Sequence, residues 1–243
     1  MVTGSHSLSS HPIYSCIIAQ ELQNKTKNRY LNILPYDHSR VVLRSKGPAD
    51  GFINASYIDG YRKPNYYIAT QGPLVETIAD FWQMIWQENS SIIVMLTNLT
   101  EQDKSKCEQY WPEQIPSQTY GEFTVTFTGL EPQSTKQLII RDFLLHKGGS
   151  DRPRTVRQFH YRDWPDHGVP RHQIAIYRLI KRINQSSRHT GPIVIHCSAG
   201  VGRTGTFIAI DYLLTMAEEE GKVDVFQCVE NMRRKRANMV QTK

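Results

Sequence analysis

The stretch GPIVIHCSAGVGRTGTFIAID at 191–211 constrains this chain more than any other. A short β-branched run bounded by glycine and proline reads as a fully buried strand. It ends at Cys197, and three glycines follow, at 200, 202 and 205. Apolar residues then return in RTGTFIAIDYLLTMAEEEG, a helix that Gly221 can terminate. Strand, glycine loop and helix in that order predict an α/β fold: a twisted mixed sheet flanked by helices, with the loop between strand and helix as its site. At 243 residues and 39% hydrophobic composition, the chain is expected to bury one core and form a single domain over 1–243.

Other segments supply the rest of the sheet and its cover. Strands are expected at 66–70, 91–97, 122–127, 136–146 and 156–162. Ile78, Phe81, Trp82 and Ile85 recur at helical spacing, as do Ile174, Tyr177, Leu179 and Ile180, so both groups predict helices packed on the core. A last helix is expected from about Asp224 to Arg236. The first dozen residues are polar and small, carry no secretory signal, and are expected to be a flexible or vector-derived leader.

Gly200, Gly202 and Gly205 spell G-x-G-x-x-G, which alone would suggest a dinucleotide site. That fingerprint needs a second strand ending in an acidic residue about 20 positions on. Glu218, Glu219 and Glu220 lie near that distance but continue the same helix. A nucleotide P-loop would need a lysine after its last glycine, and none is present. The alternative starts from Cys197 and Arg203. Successive backbone N–H groups of Ser198, Ala199, Gly200, Val201 and Gly202 can form an anion nest, to which the following helix adds its positive end. That field favours a thiolate at Cys197. Arg203 supplies a planar fork for two phosphoryl oxygens.

HCSAGVGRTG resembles the H-C-x-x-G-x-x-R-[ST]-G signature of the protein tyrosine phosphatases. KNRYLNILPYDHSRV, FINASYIDGY, YIATQGPL, DFWQMIW, KCEQYWP, WPDHGVP and MVQT are similar to the family's other motifs and occur in the family's order. The resemblance implies hydrolysis of phosphotyrosine in proteins through a cysteinyl-phosphate, with Cys197 as nucleophile, Arg203 as phosphate binder and Asp166 as general acid and then base. It implies that Trp164 positions the loop of Asp166, Gln241 the hydrolytic water, and that Thr204 eases thiolate departure. Tyr30 would pack on the substrate ring. Asn32, where many relatives carry aspartate, would hold the substrate backbone without charge. Glu101 would orient Arg203, Lys106 would meet the acid loop, and His196 with Tyr110 would fix the phosphate loop. The family usually continues into a further helix, whereas this chain stops at Lys243. That helix is expected to be missing, leaving Gln241 free to fray.

The partners implied are phosphotyrosine proteins, with no metal or cofactor. Cys16, Cys107, Cys197 and Cys228 are scattered without a C-x-x-C pair, so a reducing compartment and structural roles for the other three are expected. No apolar run approaches the roughly 20 residues a spanning helix needs, so no membrane insertion by this segment is expected. The origin stays open between a cytosolic enzyme and the intracellular portion of a receptor. A net charge of +6 suits anionic partners, and RRKR at 233–236 reads as a solvated basic face. Nucleic acid has only that net charge behind it and is not expected. Nothing in the sequence sets an oligomeric state. A non-catalytic phosphotyrosine-binding domain is the main rival reading; retention of Tyr30, Asp166, Cys197 and Arg203 argues for an enzyme.

Overall fold

The computed structural model describes residues 14–44, 51–149, 152–165, 168–170, 173–186 and 190–241. Asp166 and the first dozen residues lie outside these.

Two single-turn helices open the described chain, α1 (Ile17–Gln20) and α2 (Leu22–Lys25). There follow β1 (Arg40–Val42), β2 (Phe52–Gly60) and β3 (Lys63–Thr70), then helix α3 (Ile78–Gln87) and β4 (Ile92–Met95). A small hairpin, β5 (Thr100–Glu101) and β6 (Lys104–Ser105), precedes β7 (Ser117–Tyr120), β8 (Phe123–Leu130), β9 (Leu138–Lys147) and β10 (Arg154–Tyr161). The chain closes with α4 (Gln173–Asn184), β11 (Ile193–His196), α5 (Gly202–Glu220) and α6 (Val225–Lys235).

Nine of these strands form one mixed sheet in the order β1-β2-β3-β11-β4-β10-β9-β8-β7. The centre is parallel: β11 runs alongside β3 and β4, and β4 alongside β10. The flanks are antiparallel. All four residues of β11 and of β4 are buried, as expected for strands covered on both faces. Two apolar clusters divide between the faces. One packs Ile193, Ile195 and Val94 with α4, α5 and α6; the other packs Val194, Ile93 and Met95 with Phe81, Trp82 and Ile85 of α3. The alternation along β11 explains the split, because neighbouring side chains point to opposite faces.

Helix α4 corrects the sequence reading. Ile174 and Tyr177 are 56% and 41% exposed, and the buried stripe is Ile176, Leu179, Ile180 and Ile183. Packing against the core turns the helix so that Ile176 and Ile183, with more aliphatic surface, are buried in place of Ile174 and Tyr177.

Candidate active site

The sheet delivers Cys197 immediately past the end of β11, 6% exposed at the floor of the loop. There the chain turns through Gly200 at φ +71°, and a Cβ on that glycine would stand 2.1 Å from the Thr70 carbonyl oxygen. Only glycine tolerates both demands. The turn aims the Gly200 N–H at Cys197 Sγ, 3.3 Å away. Helix α5 begins at Gly202, so its uncapped amides border the same space.

Arg203 is held rather than mobile. Its Nη1 donates to the Leu96 carbonyl at 2.9 Å and to Glu101 Oε1 at 2.8 Å, and its Nη2 to Glu101 Oε2 at 2.6 Å. This bidentate pair sits in a part-buried pocket, 8% and 10% exposed on the two sides. Burial alone pushes the Glu101 carboxyl up; hydrogen bonds from Arg203, the Asn98 N–H and Thr97, with the guanidinium charge, outweigh it and hold the carboxyl below its ordinary range. The hairpin β5–β6 presents Glu101, and Lys106 lies buried just beyond it.

Beneath the cysteine runs a neutral relay. His196 is fully buried, and burial holds its pKa down to about 4. It bonds the Cys197 carbonyl oxygen through Nδ1 at 3.1 Å and the Tyr110 hydroxyl through Nε2 at 2.9 Å. A neutral ring meets both by donating from Nδ1 and accepting at Nε2. The Tyr110 oxygen in turn accepts from Gln158 Nε2 at 2.8 Å.

Around the mouth, the Tyr30 hydroxyl bonds Ser198 Oγ at 2.9 Å, while Asn32, two residues on, is exposed. Ala199 is half-buried and Val201 fully buried; the Val201 carbonyl accepts from Gly205 at 3.1 Å and Val240 at 3.0 Å. That second bond draws the end of the chain against the loop. Gln241 is exposed, with Oε1 3.3 Å from where a Cβ on Gly202 would stand. Thr204 Oγ1 is buried without a hydrogen-bond partner among the described residues. Trp164 is buried and donates from Nε1 to the Gly168 carbonyl at 3.3 Å, which holds residues 164 and 168 close together.

The structure thus gathers Cys197, Ser198, Gly200, Arg203, Glu101, Tyr30, His196, Tyr110 and Gln241 around one loop. It also adds Arg236, which the basic run RRKR hid. Far from facing solvent, Arg236 is fully buried and donates to the carbonyls of Ala199 at 3.0 Å and Gly200 at 2.9 Å. These bonds turn the loop's carbonyls outward from the site and so its amides inward. Arg233 likewise bonds the Met239 and Val240 carbonyls, both at 2.9 Å. A signal existed: a charged run directly after the apolar face of a helix is where a side chain can fold back under a neighbouring loop.

A model of the family described as protein-tyrosine phosphatase matches residues 24–243. The chain belongs to the protein-tyrosine phosphatase family. Among proteins similar to it, receptor-type tyrosine-protein phosphatase F of Danio rerio is 50% identical over 225 residues, covering 90% of this chain and 12% of that protein. The mouse F protein is 49% identical over 222 residues, covering 90% and 12%. Receptor-type tyrosine-protein phosphatase S of Gallus gallus is 49% identical over 225 residues, covering 90% and 14%. This phosphatase-family chain therefore spans about an eighth of the length of the relatives it matches. Among the described residues no helix is long and apolar enough to cross a membrane.

The other cysteines of this family member fit structural roles. Cys16, Cys107 and Cys228 are buried and free, and burial pushes each thiol up, Cys228 to about 12. Such thiols stay protonated and inert.

Proposed function

We propose that the chain is a cytoplasmic protein-tyrosine phosphatase that hydrolyses phosphotyrosine in two steps. Cys197 Sγ attacks phosphorus, the bond from phosphorus to the tyrosine oxygen breaks, and Asp166 gives its proton to that oxygen. Water held by Gln241 then attacks the cysteinyl-phosphate while Asp166 takes a proton back, and the thiolate leaves with help from the Thr204 hydroxyl. Arg203 and the amides of Ser198 through Gly202 carry the charge on the phosphoryl oxygens. No metal is assigned a part.

One observation carries this reading: a sulfur and a locked guanidinium share one glycine nest. The Gly200 N–H lies 3.3 Å from Cys197 Sγ, and Glu101 fixes the plane of Arg203 with bonds of 2.8 and 2.6 Å. Tyr30 supports tyrosine over serine. Its hydroxyl bonds Ser198, so it stands at the mouth above Cys197, a residue 6% exposed, where a long aromatic phosphoester is favoured over a short phosphoserine. Asn32 is assigned to the substrate backbone, Lys106 and Trp164 to the closed position of the acid loop.

The test is phosphate release from matched phosphotyrosine and phosphoserine peptides, with chelator present. Turnover is expected on phosphotyrosine alone, at a rate the chelator leaves unchanged. Cys197→Ser abolishes it, and Asp166→Ala lowers it by roughly 10²–10⁴-fold. Tight phosphotyrosine binding by the reduced chain without phosphate release would sink the catalytic reading in favour of a binding domain.

A further inference from the structure

A second groove, of about 390 Å³, opens between the β5–β6 hairpin and strands β9 and β10. Its lining includes Asn98, Trp111, Glu113, Arg141, His160 and Arg162. None of these is a residue of the reaction proposed above.

The polar inventory of this groove is lopsided. Arg141 is 6% exposed; its guanidinium lies over the Trp111 ring at 4.8 Å and reaches Glu113 Oε1 at 3.4 Å. That carboxylate is a loose partner, its side chain 55% exposed. Arg162, at the exposed rim, donates from Nε to the Asn98 amide oxygen, a neutral acceptor, at 3.2 Å. Burial lowers the pKa of Arg141, and the nearby charge of Arg162 adds to that lowering despite Glu113. His160 adds no charge, since burial holds it to about 3, and its Nε2 bonds the Thr97 carbonyl at 2.8 Å. Trp111 Nε1 is buried with no hydrogen-bond partner among the described residues. Buried donors are almost always paired, so an orphan on the ring that Arg141 covers leaves this lining short of acceptors. The complement is an anion with a flat fork, which a carboxylate provides, on an apolar body that fits Trp111 and Ile139. The volume suits a small ligand.

The floor of the groove is wired to the catalytic groups twice. Arg141 Nη1 donates to Gln158 Oε1 at 3.0 Å, and Gln158 Nε2 to Tyr110 at 2.8 Å, from which the Tyr110–His196 pair reaches Cys197. Thr97, whose carbonyl His160 holds, donates from Oγ1 to Glu101 Oε1 at 3.2 Å, and the Asn98 N–H donates to the same oxygen at 3.1 Å. Glu101 is the residue that locks Arg203.

We propose that this groove is a regulatory site for a small planar organic carboxylate, which binds Arg141 and Arg162 in place of Glu113 and resets Glu101 and the Tyr110–His196 pair. Its kinetic consequence rests on the phosphatase reading; its binding does not. The probe is 2-naphthoate, titrated calorimetrically into the full chain with and without saturating orthovanadate, which occupies the phosphate loop. Saturable binding unaffected by vanadate is expected. Arg162→Gln should weaken it by about tenfold or more, the loss of a charged hydrogen bond, while Glu113→Gln, which removes the competing carboxylate, should tighten it by about threefold. Both substitutions are at the exposed rim, so the fold is retained. Saturating naphthoate should also change the rate of Cys197 alkylation by iodoacetamide, followed by mass spectrometry, by about twofold or more in a manner Arg162→Gln abolishes. No saturable heat, binding that vanadate displaces, indifference to Arg162→Gln, or an unaltered alkylation rate would each overturn the proposal, and none of these readings depends on turnover.

Discussion

Arg236 shows how one residue can set the electrostatics of a loop it is not part of. It is fully buried, and its named bonds go to neutral acceptors: Asn54 Oδ1 at 2.8 Å, Ser56 Oγ at 3.2 Å and two loop carbonyls. Burial draws its pKa down to about 10, with the charge of Cys197 acting to raise it, so it stays a cation at neutral pH. A cation buried among neutral acceptors is costly on its own. An anion held in the loop above would offset that cost. Arg236→Gln should therefore act in two ways. It leaves up to four buried acceptors short of a donor, worth about 3 kcal/mol of stability on the usual scale. It also removes a buried positive charge from beneath the loop, lowering kcat/KM by about 10²-fold. Urea denaturation reads the first effect and steady-state kinetics the second; a loss of stability with an unchanged kcat/KM would reduce Arg236 to a structural brace.

At the scale of elements, the start of α5 is set by what passes beneath it. A Cβ on Gly205 would stand 2.4 Å from the Val240 backbone nitrogen, so α5 and the 239–241 segment touch backbone to backbone. Gly205→Ala should push that segment away and carry Gln241 with it, leaving Cys197 and Arg203 in place. Thiol phosphorylation should then proceed while its hydrolysis slows by about tenfold or more, the cost of a misplaced water. Rapid-quench trapping of labelled phosphoenzyme measures this: a rising steady-state level is expected, and an unchanged level with lower kcat would point to the first step instead. The same closeness explains what could be read in advance. Strands β4, β9, β10 and β11 and helices α3, α5 and α6 were legible because their apolar pattern is local. Gly221 ends α5 in the left-handed region, and Asp224 caps α6 by accepting from the Gln227 N–H at 2.9 Å. Strand β2 was not legible as a strand, because FINASYIDG is dotted with turn-like residues. They are buried there because distant segments satisfy them: Asn54 Nδ2 donates to Asn28 Oδ1 and the Ile33 carbonyl, and Ser56 meets Arg236. The glycine loop and its arginine were visible as a motif, whereas the relay through Gln158 and the fold-back of Arg236 exist only once separate strands are side by side.

At the scale of the whole molecule, two buried histidines make the fold sensitive to acid well before its carboxylates do. Burial lowers His196 to about 4 and His160 to about 3, against an ordinary value of 6.5. Between those values the unfolded chain binds protons that the folded one refuses, so stability is full above about pH 6.5 and falls as the pH drops toward 4. Each histidine contributes a slope of up to about 1.4 kcal/mol per pH unit. Glu101 acts elsewhere: its carboxyl is held below an ordinary 4.5, so its contribution is present above that pH and is lost only as pH falls further. The window from 5 to 6.5 therefore isolates the histidines. Urea midpoints collected across it should fall with acid, and His160→Gln, whose amide can still donate to Thr97, should remove about half of the slope while leaving stability at pH 7.5 within about 2 kcal/mol. A slope that survives this substitution would mean that His160 is hydrated in solution. The sequences of events then differ with pH. Protonated His196 would lose its acceptor for Tyr110, and the loop over Cys197 would loosen before the core does, so activity should fail at a higher pH than cooperative unfolding.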